Sequence, residues 1–187
     1  MKPRYLASAA AFLTLAIFCA HLAGQPKSAD VDAATRVLAS KSLAFPVRSY
    51  EAALRDNFNE RRGNHVHEAL DIMAPRGTPV VAVDDGTIAK LFTSAAGGLT
   101  IYQFDPTSTL AYYYAHLDHY AKNLTQGDKV RRGQVIGYVG STGDASANAP
   151  HLHFTVFALG PKKEWWKGAA INPYHELAAS PAAPSGG

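Results

Sequence analysis

Eight histidines occur in the 187 residues, and most of those able to do chemistry fall in three places. His65 and His67 stand close to Asp71, His116 is followed by His119, and His151 and His153 are separated by one leucine. On a strand, residues i and i+2 point to the same side, so His151 and His153 turn two imidazoles one way and Leu152 the other. His67 and Asp71 share a face of an extended segment and are also neighbours at i and i+4 on a helix, so either geometry presents a nitrogen and a carboxylate to one point. Zinc accepts imidazole nitrogen and carboxylate oxygen in tetrahedral geometry, and a catalytic site keeps three protein ligands and one open position. Two histidines and one carboxylate meet that requirement. The H-x3-D and H-x-H spacings are each common by chance; their combination, with His116 closing an intervening strand, is far more specific.

The elements that must position these groups follow from the punctuation of the chain. Beyond Phe45, short runs rich in Val, Ile, Tyr and Phe alternate with Gly, Asp and Pro, which is the pattern of a mainly β domain. The strand candidates are Val80 to Val83, Thr87 to Phe92, Leu99 to Phe104, Ala111 to His116, Lys129 to Val139 with an inner Arg132-Gly133 turn, and His151 to Phe157. Asp84-Asp85-Gly86 reads as a hairpin turn between the first two. Gly63 reads as a turn within an exposed polar loop, Asn57 to Asn64. In the aromatic run, strand alternation predicts Tyr112 and Tyr114 on the face of His116 and Tyr113 on the opposite face, with packing as the main role of these rings. Ahead of the strands, Val31, Ala34 and Leu38 recur at helical spacing, with Asp30 available as a cap.

Residues 45–177 therefore read as one domain, preceded by a short helix or linker over 28–44 and followed by a disordered tail, 178–187, made of Ala, Ser, Pro and Gly. Residues 1–27 contain a basic start and then an apolar stretch, Tyr5 to Gly24, without Asp, Glu, Lys or Arg, the pattern of an export segment. It reads either as a cleaved signal peptide or as a retained membrane anchor over residues 5–24, and its poorly formed cleavage site favours the anchor. Either way the expected compartment is the periplasm or cell envelope. The single cysteine, Cys19, lies inside this stretch, so the domain has no disulfide and must be stabilised by an ordinary core.

The formal net charge is +3, but Lys2 and Arg4 precede the apolar stretch, leaving 16 basic against 15 acidic residues elsewhere. That balance, and the absence of a Lys/Arg block interleaved with aromatics, excludes a nucleic-acid groove. Neither composition nor spacing addresses the oligomeric state.

The run from His67 to Val80, His67-Glu68-Ala69-Leu70-Asp71 followed by Ala74-Pro75-Arg76-Gly77-Thr78-Pro79, resembles the lysostaphin and LytM-type zinc metallopeptidases. So do Asp85-Gly86, Tyr114-Ala115-His116-Leu117, Val130-Arg131-Arg132-Gly133-Gln134, Gly140-Ser141-Thr142-Gly143 and Pro150-His151-Leu152-His153-Phe154, in the same order and at matching spacing. Phe45-Pro46-Val47 and Asn172-Pro173-Tyr174 resemble that family's domain edges. The resemblance implies an antiparallel β domain of the LytM, duplicated hybrid motif type, with a sheet as the floor of a groove and long loops as its walls. It implies Zn2+ held by His67, Asp71 and His153. It leaves His116 and His151 as catalytic groups, one taking a proton from the attacking water and the other donating to the oxyanion of the tetrahedral intermediate. The implied reaction is hydrolysis of peptide cross-links of bacterial peptidoglycan. The rival readings are a non-catalytic relative that binds wall or activates a separate hydrolase, an exported peptidase acting on proteins, and a stem-peptide carboxypeptidase. The retained ligand set argues against the first, and the short His-to-Asp spacing against the last.

Three departures from the family pattern stand out: Ala69 where glycine is usual, Thr155 where a glutamate commonly follows the H-x-H-Phe motif, and Ala145 to Ala149 in place of a glycine-rich approach. Glu68, next to His67, reads as a surface carboxylate, and His21, His65, His119 and His175 as histidines without a role in the site.

Overall fold

Val80 to Val83 are all buried, and both edges of this segment are already paired, which sets the topology of the domain. In the computed structural model, which describes residues 25–180, the amide of Val81 donates to Pro46 O, Ala82 donates to Gln134 O, and Val83 O accepts from Ala44. The expected hairpin at Asp84-Asp85-Gly86 therefore does not form. Strand β4 (Pro79–Val81) instead pairs antiparallel with β9 (Val135–Val139), while β5 (Gly86–Ser94) pairs with β6 (Gly98–Phe104) and β8 (Lys129–Val130). The Lys129 to Val139 segment is likewise two strands with different partners, not one hairpin. A glycine turn between two apolar runs permits a hairpin but does not compel one when longer-range ladders satisfy the same backbone groups.

The remaining elements are α1 (Ser28–Ala39), β1 (Arg61–Arg62), β2 (His65–Val66), β3 (Leu70–Met73), β7 (Leu110–Tyr120), β10 (His151–Leu159), β11 (Gly168–Ile171) and α2 (Tyr174–Ala178). The main sheet runs β11-β10-β7-β6-β5-β8, with β3 on β10 and β9 joining β4 to β7, and every pairing is antiparallel. Asp30 does not occupy the cap of α1; it lies three residues in and accepts from the Lys27 amide at 2.8 Å.

Alternation divides β7 and β10 into two faces. Tyr112, Tyr114, Leu152, Phe154 and Val156 point into the core, against which α1 packs through Ala34 and Leu38. Burying a ring such as that of Phe154 contributes on the order of 2–3 kcal/mol. The polar ends of the buried tyrosines are matched: Tyr114 donates to Gln103 Oε1 at 2.8 Å and accepts from the Val83 amide, and Tyr112 donates to Asp84 Oδ2 at 3.0 Å. The opposite face carries Asp71, Tyr113, His151, His153 and Phe157. The expected export segment over residues 1–24 and tail residues 181–187 lie outside the described residues. Among those described, no helix is long and apolar enough to cross a membrane, and Ser180 donates to Leu43 O, so structure continues to the end of that range.

Candidate metal centre

Antiparallel register alone aligns half of the site. β10 pairs with β3 so that His153 lies opposite Asp71 and His151 opposite Met73, placing both histidines and the carboxylate on one face. His67 arrives differently. It follows β2 in a turn, held by its amide to Glu60 O, and Glu68 carries the positive φ of 54° that swings the chain into β3. Strand parity does not apply across this turn, yet Glu68 remains exposed, as expected of a surface carboxylate. Ala69 is fully buried and is not among the positive-φ residues, so alanine fits there without strain.

Three donor atoms converge. His67 Nε2 lies 3.2 Å from His153 Nδ1 and 3.1 Å from Asp71 Oδ1, and His153 Nδ1 lies 3.1 Å from Asp71 Oδ1. Tetrahedral zinc with bonds of about 2.0–2.1 Å separates its ligands by about 3.3 Å, so this near-equilateral triangle fits the ion, and among the described residues it is the set whose donor atoms gather closely enough to hold one. Second contacts fix each group: His67 Nδ1–H donates to Asn57 O at 3.0 Å, which leaves Nε2 its lone pair, and the Asp71 amide donates to Asn57 Oδ1. Arg62 Nη2 donates to Asp71 Oδ2 at 2.7 Å and to Glu60. Burial pushes the Asp71 carboxyl upward, but the contacts with His153, His67 and Arg62 outweigh it and hold the group far below the usual carboxylate range.

His116 reaches the same face through a distortion. β6 and β7 shift register between Leu99 and Ile101, and His116 adopts φ 58°, so the ring turns to the side of Tyr113, 4.9 Å from His151 and 5.4 Å from His153. The expected facing of the tyrosines is thereby reversed: Tyr113 lies on the site face, its ring 6.1 Å from that of His153, while Tyr112 and Tyr114 are core residues. Simple alternation fails at a bulge because an extra residue resets the parity. The bulge is braced by the His116 amide to Gly97 O and by Thr142, whose Oγ1 donates to Leu117 O and accepts from Leu99. Gly98 and Gly143 cross there with φ 63° and 79°, and a Cβ on either would collide with the other segment's backbone.

His116 Nδ1–H donates to Thr142 O at 2.8 Å and His151 Nδ1–H to Ala149 O at 2.9 Å, so each imidazole keeps Nε2 for exchange of a proton. Burial lowers the pKa of His116 below its ordinary value, outweighing the hydrogen bond to Thr142 O that raises it, and the nearby His153 and His151 lower it further. The open groove around these groups is also lined by Arg62, His65 and Asp144. His65 is thus at the rim, whereas His119 stacks on Tyr138 away from the centre. Arg62 and Asn57 were missed by sequence reading; one arginine in a polar loop carries no signal, and a backbone carbonyl has none in any sequence. Thr155, at the position of the family's usual glutamate, is buried and its Oγ1 makes no hydrogen bond among the described residues.

Residues 65–173 match the sequence model of Peptidase family M23. The chain is 32% identical over 150 residues to the L-Ala--D-Glu endopeptidase of Bacillus subtilis, covering 76% of this chain and 44% of that protein. It is 34% identical over 113 residues to the peptidoglycan DD-endopeptidase ShyC of Vibrio cholerae, covering 57% and 25%. The crystallised catalytic domain of lysostaphin from Staphylococcus simulans superposes with a TM-score of 0.55 at 28% identity, over 77% of this chain and 97% of that one. The chain spans less than half the length of the curated relatives it matches.

Proposed function

The chain belongs to Peptidase family M23, and from that premise we propose that it is a zinc-dependent endopeptidase that hydrolyses peptide cross-links of bacterial peptidoglycan. The observation that carries the reading is the triangle of His67 Nε2, Asp71 Oδ1 and His153 Nδ1, with edges of 3.1–3.2 Å, beneath an open groove. These three residues would hold the ion. When bound, zinc supplies Lewis acidity that polarises the scissile carbonyl and acidifies water.

The chain's own groups do the rest. His116, with Nε2 unprotonated, is suited to take the proton of the attacking water, and His151, in the form that carries a proton on Nε2 as well as on Nδ1, to donate to the oxygen that gains negative charge. Because the Nδ1–H of each is tied to a backbone carbonyl, neither ring need reorganise during the reaction. Arg62 holds Oδ2 of Asp71 and so keeps Oδ1 directed at the imidazoles. The sheet is the floor of the groove, and the β1–β2 pair that carries Arg62 and the loop that carries Asp144 are its walls.

Wall-acting relatives, together with the apolar segment at residues 5–24, support a location in the cell envelope; retention of that segment as an anchor is part of the proposal. Incubation with purified cross-linked muropeptides and, separately, with casein tests the substrate class. Conversion of cross-linked dimers to monomers without casein cleavage is the expected result. Cleavage of casein alone would make it a protein-directed peptidase.

A further inference from the structure

On the face of the sheet that carries the histidines, a run of aromatic rings leads away from them. Tyr113 meets His153 edge-on; its cross-strand neighbour Tyr102 lies 4.7 Å from it; and Trp165, from the loop between β10 and β11, lies 4.9 Å from Tyr102 and 5.2 Å from Phe92. Lys90 Nζ stands 5.9 Å from the centre of the Trp165 ring. The far end is open: Phe92 is 40% exposed, and Trp166, packed edge-on against Trp165, is 57% exposed. The core is built on the other face, so its packing does not require these rings. Exposed rings in contiguous array mark a binding surface more often than single apolar residues do.

We propose that this strip is a saccharide-binding subsite that holds pyranose rings of the glycan from which the scissile peptide hangs. The inference rests on the reading of the site as a wall peptidase, which it deepens. Ring faces carry the negative lobe of the aromatic quadrupole and pair with the C–H face of a pyranose, while Lys90 offers a polar contact beside Trp165. At Tyr102 and Tyr113 the strip lies over β6 and β7, which are paired on both sides, so a peptide cannot add to the sheet beneath these rings and face-on stacking is the mode open there; β5 is paired with β6 along its length but with β8 only at Gly86 and Thr87. Trp165 is three ring-to-ring steps of 6.1, 4.7 and 4.9 Å from His153. At roughly 3.3–3.6 Å per extended residue, at most about five residues of bound peptide cover that path. The rings therefore stand where a stem peptide bound in the groove would meet its sugar.

The test is calorimetric titration of the protein with the tetrasaccharide of β-1,4-linked N-acetylglucosamine, beside kcat/KM on a cross-linked substrate with and without its sugars. The expected result is saccharide binding by the parent protein, weakened about tenfold or more by Trp165→Ala and by Phe92→Ala, with the preference for the sugar-bearing substrate falling in parallel. Phe92 is exposed, so its variant keeps the test valid should removal of Trp165 disturb the loop. Saccharide binding retained in His67→Ala would support the subsite even if that protein cleaved nothing, so failure of the peptidase reading and failure of the subsite are seen separately. Absence of binding at millimolar saccharide, or binding unchanged in both aromatic variants, would overturn the proposal. Strip-dependent self-association in sedimentation would overturn it too, assigning the rings to a second copy of the chain.

Discussion

Arg62 and Asp71 share one short ion pair, Nη2 to Oδ2 at 2.7 Å, which occupies the carboxylate oxygen other than the one facing His67 and His153. Partners of this kind orient a ligand and tune the ion it holds. Arg62→Ala is expected to weaken zinc binding roughly 10–100-fold, read by competition with a chromogenic chelator, and Arg62→Lys to recover only part of the loss because a flexible, strongly hydrated ammonium does not hold the fixed donor geometry of the planar guanidinium. Unchanged affinity in Arg62→Ala would show the pair to be incidental.

His116 and His151 are placed outside the donor triangle with their Nδ1 atoms tied to backbone carbonyls. Alanine at either position is expected to retain stoichiometric zinc while kcat falls by roughly 10²–10⁴-fold, the span of a lost general acid or base. Loss of zinc in these variants would move them into the ligand set.

The buried hydroxyl of Thr155 has no partner among the described residues, and an unmatched buried hydroxyl costs roughly 1–3 kcal/mol. Thr155→Val keeps the shape and removes the polar group, so thermal unfolding should show equal or higher stability, by about 1 kcal/mol. A clear fall in Tm would mean that the hydroxyl is bonded in solution.

Asp105 is buried, yet its pKa is lowered: burial raises it, but the amides of Leu110 and Thr109 and the Thr107 hydroxyl and amide outweigh that. A folded-state pKa below the unfolded value of roughly 3.9 contributes stability that is fully present above that value and is lost below it, as the pH falls through the lower folded-state pKa. Urea unfolding between pH 6 and pH 3 should therefore show a stability loss on acidification that is smaller in Asp105→Ala, which also starts roughly 1–3 kcal/mol less stable. An identical acid dependence in both proteins would remove Asp105 from the account.

The parts of the site that were legible in the sequence are those governed by strand parity and register. His151, His153 and Asp71 share a face because β10 and β3 are regular where they pair. Parity failed where the backbone leaves regular geometry: at His116, whose left-handed φ reset the facing of Tyr112, Tyr113 and Tyr114, and at the turn through Glu68. The β character of the chain followed from its punctuation, but the partners of β4 and β8 did not. Choosing β9 over a local hairpin depends on Pro46 and Gln134, which are distant in sequence and supply the backbone bonds for Val81 and Ala82. Arg62 was invisible for a similar reason, since its importance lies in a contact across nine residues of turn and strand.

The most direct test of the central claim is the zinc content of the purified protein, measured together with release of soluble muropeptides from purified peptidoglycan before and after chelation, in the parent chain and in His153→Ala. One zinc per chain, release abolished by chelator and restored by zinc, and neither metal nor release in His153→Ala are the results predicted. Release that persists in metal-free protein, or in His153→Ala, would contradict the account.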